Sequence, residues 1–220
     1  MTAERADRMT VAADPALQAA IDALSVPGIM IGHRLISPGD EHALLPEEAP
    51  AFSASVVKVR RASGAARIAA RALLARLGHA TCALPKGAAG APIWPPGVAG
   101  SLAHDDRVAV AAVARSGDFG AVGVDIEPAE VLPAELLDMV ATPLERLKIA
   151  DDPYRGRLLF VAKEAVYKAV YPLDRMFLEH HDVEVNLADR KAVVRNGRVV
   201  ELRFGMSTHV VALAFLPGPR

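Results

Sequence analysis

Cysteine is almost absent from this chain: Cys82 stands alone among 220 residues. A disulfide within the chain is thereby excluded, and the composition suits a reducing compartment. Aromatic residues are scarce at 5%, with one tryptophan, so the apolar share rests on Ala, Val and Leu. No apolar run approaches the ~20 residues that cross a bilayer. The segment Met1–Arg8 is charged and lacks the apolar stretch of a secretory signal. A cytoplasmic chain with no membrane span is the expectation. The net charge is −1 and the pI near 6.7, so nothing favours a general nucleic-acid binder. Phosphate-cradling Walker loops, dinucleotide fingerprints and HExxH zinc sites are all missing.

One further absence is local. No Asp or Glu falls between Ala49 and His104, while Lys58, Arg60, Arg61, Arg67, Arg71, Arg76 and Lys86 all do. A basic region followed by carboxylates suits the two walls of a site for an anionic, metal-linked ligand. A solvated helix face with biased charge is the plain alternative.

What the chain does hold is concentrated in two blocks. Gly123-Val124-Asp125-Ile126-Glu127 reads as a strand, so Asp125 and Glu127 leave one face and Ile126 the other. The apolar flanks of this strand predict a central position in its sheet. Phe160 to Lys168 reads as a largely apolar helix with Lys163 beside Glu164, and with Glu164 and Lys168 one turn apart. Singly, these are a surface acid pair and an ordinary helix ion pair. Together, three carboxylates and a lysine that can converge suit a hard divalent cation facing a phosphate-bearing substrate. His104 precedes a strand and follows a glycine-containing loop, a position for either a structural histidine or a phosphate contact. The adjacent His180 and His181 would point apart on a strand, which argues against a joint metal site.

The remaining elements follow from local signals. Asp14-Pro15 caps a helix from Ala16 to Leu24, Val26 to Ile36 is a strand, and Ser55 to Leu77 is a helix closed by Gly78. On that helix Arg60, Arg67 and Arg71 share one stripe. Pro85 to Gly97, with four prolines and three glycines, is a loop in which Trp94 serves as a packing anchor. Arg107 to Ala114 and Phe119 to Ile126 are strands, and Pro133 to Ala150 holds short helices with Thr142 as a cap. Asp151-Asp152-Pro153 opens the helix that Pro172 should end. Four antiparallel strands complete the chain, with Asn196-Gly197 as a hairpin turn. The class is α+β, in two roughly equal halves without a direct sequence repeat.

Gly-Val-Asp-Ile-Glu, then Ala-Lys-Glu-Ala-Val-Tyr-Lys, preceded by Trp-Pro-Pro-Gly-Val-Ala-Gly-Ser-Leu-Ala-His, resembles the 4′-phosphopantetheinyl transferases. The likeness is to the larger single-chain type that activates enterobactin- and surfactin-like synthetases, and it covers about Lys58 to Tyr171. The resemblance implies two similar α+β halves related by a pseudo-twofold axis, residues 1–117 and 118–220, with the active site in the cleft between them. It implies transfer of the phosphopantetheine arm of coenzyme A to a serine of an acyl or peptidyl carrier protein, releasing adenosine 3′,5′-bisphosphate. The carrier would belong to a fatty-acid, polyketide or nonribosomal peptide synthase. Asp125, Glu127 and Glu164 would bind Mg²⁺, and Glu164 or a water held by the acids would take the serine proton. Lys168, supported by Lys163, would neutralise the leaving phosphate, with His104, Arg60, Arg67 and Lys86 on the nucleotide phosphates. A chain this long can build the site alone, so a monomer is expected. Ala103 stands where Ser or Thr is usual, Asp105 where a small neutral residue is common, and Ala62-Ser63 where a Glu-Phe pair is usual. Two rivals remain open: a non-catalytic coenzyme A or carrier-protein binding module of the same fold, and another Mg²⁺-dependent phosphotransferase or pyrophosphatase.

Overall fold

The computed structural model describes residues 14–79, 81–149 and 152–218. Asp14 accepts the Leu17 N–H at 3.0 Å and caps α1 (Pro15–Asp22). Then follow β1 (Ile29–Leu35), α2 (Val57–Arg76), β2 (Val98–His104), β3 (Val108–Arg115) and β4 (Phe119–Pro128). Two short helices, α3 (Ala134–Val140) and α4 (Pro143–Ile149), precede α5 (Arg155–Asp174). The chain finishes with β5 (Val183–Asn186), β6 (Lys191–Val194), β7 (Val199–Met206) and β8 (His209–Pro217). Ala150 and Asp151, where one expected helix ends and the next begins, lie outside the described residues.

The strands form two antiparallel sheets, ordered β1-β3-β2 and β4-β8-β7-β6-β5. The path β1-α2-β2-β3 places its last strand in the middle of its sheet, and β4-α5-β7-β8 does the same. The same topology is therefore used twice, with β5 and β6 added outside β7 and α3 and α4 inserted before α5. Alternation along the strands sets the layers. In β3, Val108, Val110, Ala112 and Ala114 face the second sheet, while Ala109, Ala111 and Val113 face α2. In β4, Val122, Val124 and Ile126 face the first sheet, and Ala121 faces α5. The result is α2, sheet, sheet, α5 in four layers, with small aliphatic side chains between the sheets.

Four local expectations change. β4 is the end strand of its sheet, not a central one; it is buried because the first sheet covers it. Val98 to His104, to which the sequence reading assigned no element, is a full strand paired along β3. Pro172 lies inside α5, which ends two residues later at Asp174, with Arg175 following in the left-handed conformation. A proline this near the end forfeits a single backbone bond. Finally, α1 precedes residue 117 but packs on both sheets: a β-carbon on Gly205 of β7 would stand 2.3 Å from the Ala20 carbonyl oxygen.

Candidate active site

α5 crosses β4 at Gly123, where a β-carbon would stand 2.0 Å from the Ala165 carbonyl oxygen. The missing side chain lets the α5 face that bears Glu164 and Lys168 settle beside the end of β4. There Lys168 Nζ donates to Asp125 Oδ1 at 2.6 Å. Asp125 is 6% exposed, and its Oδ2 has no hydrogen-bond partner among the described residues. Burial pushes the Asp125 pKa up against the pull of Lys168. Burial, then the neighbouring Asp125, raises Glu127 as well, with Arg157 3.5 Å away. Glu164 moves the other way. His180 Nε2 stands 3.2 Å from its Oε1, and that contact, followed by the charge of Lys168, holds its pKa down.

The three carboxylates are thus neighbours, yet each turns to a base of its own. Among the described residues no three His, Cys, Asp or Glu side chains form a ready metal cage. The donor set still fits a hard cation. It is all oxygen, and Asp125 raises the cost of ionising Glu127, as Glu164 raises that of Asp125. Asp125 also holds a buried oxygen that no donor satisfies.

Lys163 does not join them. It is 1% exposed, and its ammonium donates to the Val140 carbonyl at 2.8 Å, Glu145 Oε2 at 2.7 Å and the His180 carbonyl at 2.8 Å. All three protons are used, so no phosphate can take one without breaking this knot. On a helix, neighbours in sequence point about 100° apart, which sends Glu164 to the groove and Lys163 into the core.

The opposite wall comes from the first half. A cavity of about 230 Å³ is lined by Phe52, Ser63, Arg67, Lys86, Leu102 and His104 among others. Arg67 is held there by the Leu84 and Ser63 carbonyls at 3.0 and 3.2 Å and lies 4.8 Å over the Phe52 ring. The expected arginine stripe divides. Arg60 bonds back to the Ser55 carbonyl, and Arg71 pairs at 2.9 Å with the fully buried Glu48, leaving Arg67 alone of the three in the cavity. His104 faces solvent at the mouth. Desolvation by the surrounding protein, then the nearby Lys168, pulls its pKa below the ordinary value.

Gly90, Pro92 and Leu102 are shared with a second pocket of about 190 Å³, lined also by Trp94, Glu164, Tyr167, Lys168 and Tyr171. A groove therefore runs between the halves from basic residues to the acid end. Trp94 packs its ring where a Gly100 side chain would be, 2.8 Å from the position of that β-carbon, and also walls the pocket.

Two residues escaped the sequence reading. His180 sits in a short 3-10 turn, His180–Asp182, so the strand geometry used to discount it does not hold. His209 heads β8 and is 1% exposed; a histidine opening an otherwise apolar strand was the only signal. Two departures from the family pattern find places here. Ala103 packs into the core between the sheets, so a hydroxyl there would face apolar side chains. Asp105 lies 2.9 Å from His209 Nε2.

The paired α+β halves thus put acids on one wall of the groove and bases on the other. Comparison with known proteins identifies the family. Residues 47–114 match the 4′-phosphopantetheinyl transferase N-terminal domain, and residues 121–214 match the 4′-phosphopantetheinyl transferase superfamily. The chain is 45% identical to 4′-phosphopantetheinyl transferase Npt of Nocardia iowensis, over 69% of this chain and 71% of that protein. It is 42% identical to 4′-phosphopantetheinyl transferase Svp of Streptomyces mobaraensis, over 68% and 63%. The figure for 4′-phosphopantetheinyl transferase PptT of Mycobacterium tuberculosis is 40%, over 64% of each. The chain belongs to the 4′-phosphopantetheinyl transferase superfamily. Among the described residues no helix is long and apolar enough to cross a membrane.

Proposed function

We propose that this chain transfers the 4′-phosphopantetheine arm of coenzyme A to a serine of an apo carrier protein, releasing adenosine 3′,5′-bisphosphate. The carrying observation is the groove itself. Arg67, Lys86 and His104 line one end, and Glu164 and Lys168 line the aromatic-walled continuation. A nucleotide phosphate suits the basic end, and an uncharged pantetheine arm suits Trp94, Tyr167 and Tyr171.

The serine hydroxyl attacks the phosphorus that bears pantetheine. The new P–O bond forms as the bond to the nucleotide phosphate breaks, and the serine proton passes to a base. Glu164 is kept ionised by His180 and Lys168, which is the state a proton acceptor needs. Lys168 neutralises charge on the leaving phosphate from its place beside Asp125. Asp125, Glu127 and Glu164 would hold Mg²⁺, which when bound neutralises the pyrophosphate oxygens. Lys163 is left out of phosphate binding.

The test is intact-mass analysis of apo fatty-acid, polyketide and peptide-synthetase carriers incubated with the protein, coenzyme A and Mg²⁺. One carrier should gain a phosphopantetheine arm. Coenzyme A binding with no carrier modified, under conditions where an established enzyme works, would favour the non-catalytic module.

Asp125 allows a second check that needs no carrier. A buried acid whose folded pKa is raised costs stability once ionised. The cost is absent below the ordinary Asp value of about 4 and complete above the folded pKa. Asp125→Asn should therefore melt a few degrees above the wild type at pH 7, on the order of 1 kcal/mol, with Lys168 still partly solvated. The difference should close as the pH falls toward about 4. Mg²⁺ should raise the wild-type melting temperature and leave the variant unmoved. A variant that responds to Mg²⁺ like the wild type removes Asp125 from the metal site.

A further inference from the structure

We propose that Asp105 and His209 form a positioning pair that holds the His104 turn of the first half in register with the acid-bearing strand of the second. The inference deepens the coenzyme A reading and rests on it.

Asp105 follows His104 in the turn between β2 and β3, and its two carboxylate oxygens have separate tasks. Oδ1 accepts the Arg107 and Val108 N–H groups, both at 2.7 Å, while the Asp105 N–H donates to the Val108 carbonyl at 3.0 Å. The turn is therefore closed by its own side chain. Oδ2 reaches across to the other half and stands 2.9 Å from Nε2 of His209; it has no hydrogen-bond partner among the described residues, so this close approach is its one polar contact. The side chains of His209 and Asp105 are only 2% and 7% exposed. His209 Nδ1 lies 3.0 Å from Thr208 Oγ1, which in turn donates to Asp14 Oδ2, the cap of α1, at 3.4 Å. In the sheet His209 stands opposite Pro128, the residue after Glu127.

This contact supplies what the packing cannot. Between the sheets the facing side chains are mostly Val, Ala, Leu and Ile. Such a surface attracts without direction and tolerates sliding. A buried, oriented polar pair at the edge of that surface selects one register. It fixes the phosphate-facing His104 relative to Asp125, Glu127 and Lys168. The same geometry explains why a carboxylate is tolerated beside an anion site. Burial would raise the Asp105 pKa, but His209 and the two backbone N–H groups outweigh it. The charge is spent inside the protein, not offered to the ligand.

The experiment compares Asp105→Ala, Asp105→Asn and His209→Ala by kinetics with an accepted carrier, coenzyme A calorimetry and melting temperature. Asp105→Ala should raise the coenzyme A KM and Kd about tenfold, with the carrier KM within about twofold. His209→Ala should do the same, and the double variant should add little, since both remove one contact. Asparagine keeps the Oδ1 acceptor and can still bond the imidazole, so Asp105→Asn should recover most of the coenzyme A affinity. A lowered melting temperature with unchanged coenzyme A KM and Kd would make the pair purely structural and overturn the proposal. Additive losses in the double variant would overturn it too. If Asp105→Ala does not fold, Asp105→Asn and His209→Gln carry the test. Wild-type coenzyme A binding without transfer would sink the transferase reading alone, and the Kd comparison would still judge the pair. No wild-type binding overturns both.

Discussion

Glu164→Gln should lower the rate of carrier modification by about 10²–10⁴-fold, the usual contribution of a positioned general base, while leaving the melting temperature within a few degrees. Glutamine keeps the shape of the side chain and can still meet His180, but it cannot accept the serine proton. In the fold Glu164 is half-buried and sits on the wall of the pocket that also holds Tyr167 and Lys168. Loss should appear in kcat, with coenzyme A KM little changed, because a base acts in the transition state and not in ground-state binding. Single-turnover measurement with saturating coenzyme A separates the two. Near-normal turnover would leave proton transfer to a water held by Asp125 and Glu127, with Glu164 serving the metal or nothing.

Lys163→Met should lower stability by about 3–5 kcal/mol, because it leaves a buried carboxylate without its countercharge. Lys163 and Glu145 are each 1% exposed. Glu145 also accepts the Thr142 and Val185 N–H groups at 2.8 and 2.7 Å, so the pair ties α3, α4, α5 and β5 together. Burial lowers the Lys163 pKa and Glu145 opposes that shift, the signature of a charge kept inside by its partner. Urea unfolding should show the loss. Replacing Glu145 as well, in Lys163→Met with Glu145→Gln, should recover part of it. Activity of Lys163→Met assayed well below its melting temperature should keep the wild-type coenzyme A KM. A raised KM in a fully stable variant would instead return Lys163 to the phosphate site.

The motif spacing carried the acid end of the groove. Asp125 and Glu127 alternate with Ile126 as any strand must, and Glu164 and Lys168 lie one helical turn apart. Local turn chemistry was equally readable, from the Asp14 cap to the Thr142 cap, where the Glu145 N–H meets Thr142 Oγ1 at 3.3 Å. The Asn196-Gly197 turn closes β6 onto β7 as its sequence requires, with Gly197 at φ 84°. Less legible were elements whose identity depends on a distant partner. Val98 to His104 mixes glycine and serine with small apolar residues and becomes a strand because β3 pairs along it. The apolar flanks of β4 were read as a central strand. They record burial under a second sheet, and periodicity cannot separate those two cases.

Cys82, the acid-free stretch and the two charged blocks determined a great deal unaided: no internal disulfide, a segment rich in bases, and a pair of acids and a Glu-Lys pair on defined faces. Backbone geometry repeats over two or 3.6 residues, so such placements follow from the order of residues alone. Which charge meets which was decided only by tertiary structure. Lys163 and Lys168 flank the same glutamate, yet one is locked to Glu145 in the core and the other opens onto Asp125 in the groove. Arg71 goes to Glu48, and Asp105 crosses to His209. These partners are distant in sequence, Lys163 and Glu145 by 18 residues and the others by more. Burial makes an unpaired charge costly, and only the packing of whole elements determines which opposite charge is near enough to relieve it.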